Sequence, residues 1–130
     1  MEELLSRLEK LYKNLEVKMT KERYFEMMEQ LGQEPIEDEI PPSWEDFPED
    51  VLDAVSIFNL LGDRVYPDIG YIGKDYSNLQ YLSDIFEVDN QELLVHVLNL
   101  LDSRAIKKSA EDLKKERDKL KRKPSGPKRS

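Results

Sequence analysis

The sequence predicts an all-α fold: a small bundle of four to five helices with a Pro-rich acidic loop and a protruding charged C-terminal helix. Apolar residues recur at spacings of three and four along most of the 130-residue chain, which is the period of one helix face. Three prolines and six acidic residues fall between positions 33 and 47, where this proline density excludes a helix or a central strand. The last 27 residues are basic and poor in apolar side chains.

Two helices are predicted in the first 32 residues. Thr20 is expected to cap the second helix and Gly32 to end it. The first helix carries leucines at spacings of four, three and four, the pattern of a short coiled-coil seam: Leu4, Leu8, Leu11 and Leu15. Two heptads are marginal as an isolated helix. This stripe is therefore expected to pack either on the rest of the chain or on a second copy, which would make a homo-oligomer.

An acidic loop follows, and four apolar side chains are expected to pin it to the helices: Ile36, Ile40, Trp44 and Phe47. Pro48 is predicted to open a third helix and Gly62 to end it. Residues 62–77 are predicted to form an irregular, glycine-containing loop with room for a small hairpin around residues 66–72.

A short fourth helix is predicted from the apolar residues between positions 79 and 86. Asp89 and Glu92 resemble a capping box at the start of a long fifth helix, whose apolar stripe fades after Ile106. Three segments are predicted: an N-terminal amphipathic helix (1–19), a helical body (20–106) and a charged, basic C-terminal helix with a frayed tail (107–130). Because residues 107–130 bring few apolar side chains, they are expected to contribute little to stability.

The charge is split along the chain. Residues 104–130 hold 12 basic and four acidic side chains, a net charge of +8, whereas residues 1–103 hold eight basic and 24 acidic ones, a net charge of −16. The acidic part repels nucleic acid, and the basic part can bind nucleic acid or an acidic protein surface. This pattern is typical of an interaction protein and differs from the neutral, apolar pocket of a small-molecule enzyme.

No catalytic, metal or cofactor site is predicted. The chain has no cysteine, and its one histidine, His96, has neither a second ligand nor a nucleophile close by in the sequence. Gly73 and Lys74 lack the preceding glycine of a phosphate-binding loop, and Asp75 stands where that loop needs Ser or Thr. We therefore expect a chain that is not an enzyme and needs no cofactor.

Two groups of residues are candidates for binding. A protein partner would be bound by two aromatic anchors and part of the basic helix: Trp44, Phe47, Lys114, Lys115 and Arg117. The alternative for Trp44 and Phe47 is packing in the core. Nucleic acid would be bound by the basic end of the tail: Lys119, Lys121, Arg122 and Lys123. The tail has no aromatic residue to stack on bases, so such binding would be sequence-blind.

Three stretches carry a resemblance to a known group of proteins: YFEMMEQLGQEP (24–35), PPSWEDFP (41–48) and GYIGKD (70–75). With them, residues 20–105 resemble small accessory proteins encoded in tailed bacteriophage genomes. Residues 1–18 lie outside the resemblance. It implies a non-enzymatic virion assembly factor similar to tail assembly chaperones, which bind the tape-measure protein or another tail protein in the host cytoplasm. A packaging accessory that contacts nucleic acid, or a structural component of the virion, remains an alternative, and no membrane association is expected.

Overall fold

The computed structural model describes residues 1–122, so the predicted helix end at Pro124 and the frayed tail lie outside the described residues. The described part is an α+β fold, mostly helical (68%) but with a two-stranded antiparallel sheet. The all-α prediction is therefore wrong. The elements in chain order are α1 (Glu2–Glu16), α2 (Lys21–Leu31), α3 (Glu49–Leu60), β1 (Gly62–Tyr66), β2 (Gly70–Asp75), α4 (Leu79–Ile85) and α5 (Gln91–Arg122). Two single 3-10 turns, Glu37–Glu39 and Trp44–Asp46, lie in the acidic loop.

The boundaries of α2 follow the predicted capping signals, whereas α3 ends at Leu60 and Gly62, which was predicted to end it, is the first residue of β1. The Thr20 hydroxyl accepts the N–H of Arg23 at 3.2 Å, and Gly32 ends α2 in the left-handed conformation with φ of 67°. At the start of α5 the cap differs from the predicted one. The side-chain oxygen of Asn90, one residue after Asp89, accepts the N–H of Leu93 at 3.0 Å.

The core lies between α1, α3 and α5. Its most deeply buried side chains come from these three helices: Leu8, Val51, Ile57, Leu94 and Val97. Of the leucine stripe, Leu8 and Leu11 are in this core, Leu4 packs against it, and Leu15 is 43% exposed. The stripe thus packs on its own chain, which was the first of the two predicted alternatives, and only its last member is available at the surface.

The segment predicted as an irregular loop with room for a small hairpin around residues 66–72 forms the two-stranded sheet, and a defined β-turn joins its strands. Pro67 and Asp68 occupy the middle of a β-turn in which the N–H of Ile69 donates to the carbonyl of Tyr66 at 3.2 Å. Gly70 follows with φ of 88°. The strands pair antiparallel, and the register shifts by one residue between Arg64 and Val65, which is a β-bulge.

The second half of α5 supports the hairpin. The N–H of Tyr71 donates to the Ser109 hydroxyl at 3.2 Å, and the Arg117 guanidinium donates to the Asp68 carbonyl at 3.2 Å. A Cβ added to Gly70 would come within 2.7 Å of Leu113. The helix is continuous across the predicted boundary at residue 106. The expectation that residues 107–130 contribute little to stability overlooked these contacts with the sheet.

Candidate protein-interaction surfaces

A buried carboxylate joins the hairpin to α5. Asp102 is 8% exposed and accepts three hydrogen bonds from the strand and its extension: from the Tyr71 hydroxyl at 2.5 Å, the Tyr76 hydroxyl at 2.6 Å and the Lys74 N–H at 3.1 Å. We call these four residues the Asp102 cluster. The cluster fixes the position of β2 on the helix.

The electrostatics of the Asp102 cluster favour a charged carboxylate. Burial raises the pKa of Asp102, but the hydrogen bonds from Tyr71, Tyr76 and the Lys74 N–H outweigh that effect, so its pKa lies below the usual value. Burial and the hydrogen bonds to Asp102 raise the pKa of both tyrosines. The tyrosines therefore remain protonated donors at neutral pH, and the cluster acts as a structural clamp.

The side chain of Lys74 makes three further contacts. Its ammonium group lies 2.6 Å from Asp63, donates to the Leu61 carbonyl at 3.2 Å and lies 4.6 Å from the centre of the Phe58 ring. Lys74, which was weighed with Gly73 as part of a phosphate-binding loop, is thus a buried structural cation. Asp102 was missed by sequence reasoning, although an acid among the apolar residues of the α5 stripe was a usable signal.

Among residues 1–122, no set of three or more His, Cys, Asp or Glu side chains is placed to hold a metal ion. His96 is on the exposed side of α5, 3.9 Å from Glu92.

The first surface is a groove of about 250 Å³ between the end of α1, the start of α2 and the Pro-rich loop. We call it the Trp44 groove. Its apolar lining comes from three segments: Leu11, Leu15, Met19, Pro42 and Trp44. Leu11 and Pro42 are buried, whereas Leu15 and Trp44 present part of their apolar surface to solvent. No single stretch of sequence contains this surface.

The two predicted aromatic anchors have different environments. Phe47 is buried in the core, whereas Trp44 is 38% exposed. The Trp44 ring packs edge-on against Tyr12, with ring centres 5.8 Å apart, and tilted against Phe47 at 6.3 Å. Trp44 is therefore both a packing residue and a surface residue, while Phe47 takes the core position that was its alternative.

An ion pair fixes the loop beside the groove. The N–H of Ser43 donates to the Asp46 carboxylate at 2.9 Å, and Lys21 lies 3.2 Å from that carboxylate. These contacts, the Ser43 N–H first, lower the pKa of Asp46. Lys21 is thereby engaged by Asp46. Glu22 and Glu45, which also line the groove, are exposed and form no ion pair within the described part of the chain. The groove is apolar inside and negative at its edge.

Helix α2 extends this apolar surface. It buries only Tyr24 and Met28, and the hydroxyl of Tyr24 accepts the N–H of Ile36 at 3.1 Å. Its other apolar residues are exposed: Phe25, Met27 and Leu31. Phe25 follows Lys21 and Glu22 by one helical turn, so it continues the side of α2 that lines the groove.

The basic residues of α5 are interspersed with acidic residues, and some of them already make contacts within the chain. Arg117 donates to Asp68 in the hairpin. Four predicted lysines are exposed: Lys114, Lys115, Lys119 and Lys121. The backbone of Arg122 is helical, but its side chain and Lys123 lie outside the described residues. Lys115 also lines a cleft of about 280 Å³ between α1 and α5 in which five basic and three acidic side chains are mixed.

Comparison with known proteins finds no matching family model, no matching curated protein and no matching solved structure. Within residues 1–122, none of the helices is both long enough and apolar enough to cross a membrane.

Proposed function

We propose that this chain is a non-enzymatic binding protein that holds a segment of a partner protein in the Trp44 groove. The observation that carries the proposal is the partly exposed tryptophan in an apolar groove with unpaired acids at its edge. Tryptophan is enriched among the residues that dominate binding energy, and such residues lie in pockets that exclude water on binding. Trp44 is held by Tyr12 and Phe47, so little side-chain freedom would be lost on binding.

The charge of the groove supports a basic partner segment. Glu22 and Glu45 stand at the edge, and residues 1–103 carry a net charge of −16. A segment with an apolar anchor and flanking Lys or Arg matches this surface, and the charge attraction speeds its encounter with the groove. An acidic segment would be repelled. The proposed ligand is therefore a short basic, amphipathic stretch of a protein.

The proposed role is chaperone-like and belongs to virion assembly in a tailed bacteriophage. It rests on the resemblance of residues 20–105 to small phage accessory proteins and on the exposed apolar surface of α2 and the Trp44 groove, which suits transient cover of a partner's apolar segments. The proposed partner is the tape-measure protein or another tail protein of the same phage, met in the host cytoplasm.

The test is a calorimetric titration of the full chain with overlapping fragments of the tape-measure protein from the same genome. Leu15→Glu places a charge in the groove and should weaken the tightest fragment at least tenfold. Val17→Glu is the matched control because Val17 is 71% exposed and does not line the groove. Equal affinity for the two variants would refute the groove as the binding site.

Charge reversal provides a second arm of that titration. The double variant Glu22→Lys and Glu45→Lys should weaken a basic fragment and make its binding less sensitive to salt. Glu9→Lys, an exposed change on α1 away from the groove, should have little effect. If no fragment of any tail protein binds, the assembly role is wrong.

The basic tail leaves nucleic-acid packaging as a second candidate function, and a structural place in the virion as a third. The exposed lysines of α5, Lys114, Lys115, Lys119 and Lys121, favour the second candidate. Four acids of the same helix, Glu111, Asp112, Glu116 and Asp118, oppose it by reducing the local positive charge.

A further inference from the structure

Only one of the two outer edges of the β-hairpin is covered by another element. The outer edge of β2 is closed by α5, because the backbone N–H groups of Tyr71 and Lys74 donate to Ser109 and Asp102. All five residues of β1 are exposed. Covering an edge with a helix is a usual way to prevent further strand pairing, and here only one edge is covered.

The backbone of β1 has groups ready for a further strand. In an antiparallel pair, residues alternate between those bonded to the partner strand and those whose N–H and C=O point away from it. Lys74 and Tyr71 point their N–H groups away from β1, and they stand opposite Asp63 and Val65. Asp63 and Val65 therefore direct their own N–H and C=O groups outward at the free edge.

The hairpin is held rigidly enough for such pairing. The Asp102 cluster fixes β2, Arg117 holds the turn through the Asp68 carbonyl, and Gly70 lies against Leu113. Exposed apolar side chains on and beside β1 add contact area for specificity: Val65 and Ile69 at 61% and Tyr66 at 53%. A preorganised edge loses little entropy when a strand adds to it.

We infer that the free edge of β1 binds an extended segment of a partner protein as a third strand. Backbone hydrogen bonds give the affinity in this mode, and alternate side chains give the specificity. The segment would place an acidic residue beside Arg64 and apolar residues beside Asp63 and Val65. Asp63 is already paired with Lys74. Arg64 lies over Gly73, is exposed and forms no ion pair within residues 1–122, so its long side chain is free to turn toward an acidic residue of a partner strand.

A second copy of the chain fits this edge less well. The symmetric antiparallel register that bonds both Asp63 and Val65 sets Arg64 opposite Arg64, and like charges directly opposite are destabilising. If the two β1 strands pair with Asp63 at the centre of symmetry, the two Asp63 residues stand directly opposite each other. Centring the pair on Val65 sets Asp63 opposite Pro67, which has no N–H to donate. Each chain also carries a net charge of −8.

The probe for this inference is the blocked peptide Thr-Val-Glu-Val-Thr-Val-Thr, added to the full chain and followed by amide hydrogen exchange in NMR spectra. We expect exchange at the N–H groups of Asp63 and Val65 to slow at least tenfold. The same peptide with Lys in place of Glu should bind at least threefold more weakly. Absence of protection at both amides with millimolar peptide would overturn the inference.

A proline variant tests the backbone contact directly. Val65→Pro removes an N–H that points away from β2, so the hairpin keeps its hydrogen bonds, while the added strand loses one and meets the ring. Binding should fall at least tenfold, and Val65→Thr, which keeps the N–H, should bind like the original chain. Should Val65→Pro unfold, the exchange map and the Glu-to-Lys peptide comparison still decide the question.

Two further results would contradict the inference. Equal binding by a folded Val65→Pro variant would show that the edge is not used. Protection of Asp63 and Val65 that appears without peptide and grows with protein concentration would show that a second copy is the occupant. The test uses no residue of the Trp44 groove, so its failure and the failure of the proposed function are distinguishable.

Discussion

Replacing the carboxylate of the Asp102 cluster should be among the most damaging single changes in this chain. Asp102→Ala removes the acceptor of three hydrogen bonds, from Tyr71, Tyr76 and the Lys74 N–H. A hydrogen bond to a charged group contributes about 1.5–3 kcal/mol. Water can reach the partly exposed tyrosines and recover part of that loss, so we expect the free energy of unfolding to fall by about 3–5 kcal/mol. That is a large share of the roughly 5–15 kcal/mol that a domain has.

The assay is urea unfolding followed by circular dichroism, with Asp112→Ala as the matched control. Asp112 is on the same helix but is exposed, 3.9 Å from Lys108. Its loss should cost no more than about 0.5 kcal/mol. A loss below about 1 kcal/mol for Asp102→Ala would show that the cluster does not hold the hairpin on α5, and the reasoning would be wrong.

The same carboxylate predicts a pH dependence. The folded-state pKa of Asp102 is lowered, so the charged form stabilises the folded state above the unfolded-state pKa of about 3.9. That contribution is lost as the pH falls below about 4 and through the folded-state pKa. Asp102→Asn lacks this group. The difference in stability between the original chain and Asp102→Asn should therefore shrink on acidification, and a constant difference between pH 7 and pH 3 would contradict the assignment.

Three more outcomes are expected. Deleting residues 107–130 should lower the free energy of unfolding by about 1–3 kcal/mol, measured by urea unfolding, because Leu113 packs against Gly70 and two hydrogen bonds to the hairpin are lost; an unchanged midpoint would refute this. Trp44→Ala should cost about 2 kcal/mol, less than the usual 3–5 for a buried aromatic, and the fluorescence of Trp44 should be intermediate between buried and free indole because it is 38% exposed. The intact chain should not bind duplex DNA in a gel shift at ~0.15 M salt; sub-micromolar binding that disappears on replacing Lys119 and Lys121 would favour packaging.

The helices were predictable because their signals are local. The apolar stripes repeat every three or four residues, and Thr20 and Gly32 mark the two ends of α2 within a span of 13 positions. The core faces of α1 and α5 follow from the same stripes. Such signals come from neighbours in the sequence, so they can be recognised before any tertiary contact is known.

The sheet was predicted only as room for a small hairpin around residues 66–72, because its stabilising contacts are distant in sequence and polar. Its first strand, Gly62–Tyr66, has no apolar alternation, since all of it is exposed. Its second strand is fixed by Asp102, 28 residues after Lys74, and by Ser109, 38 residues after Tyr71. No local pattern reports such pairs. The local signals were Pro67 and the glycines around it, and they indicated a small hairpin without fixing the ends of its strands.

The Trp44 groove was half predictable. Its aromatic residue was recognised from its place in the Pro-rich loop, but the groove also needs Leu15 and Met19, which belong to other segments. A stripe that is buried at Leu8 and Leu11 looks the same in sequence as one that continues buried to Leu15. Only the packing shows where α1 leaves the core and its apolar side becomes available.

The way the hairpin is attached bears on what its free edge can do. The core takes the apolar faces of α1, α3 and α5, and β2 is fixed on α5 largely through directional hydrogen bonds to Asp102. Such bonds orient a strand edge more strictly than apolar contacts do, and a strand-binding edge needs that orientation. Asp102→Ala should therefore weaken the binding of the peptide Thr-Val-Glu-Val-Thr-Val-Thr to β1 several-fold when it is measured well below the melting temperature. Asp112→Ala should leave the affinity for this peptide unchanged. Equal affinities in the two folded variants would show that the edge is organised by the hairpin alone.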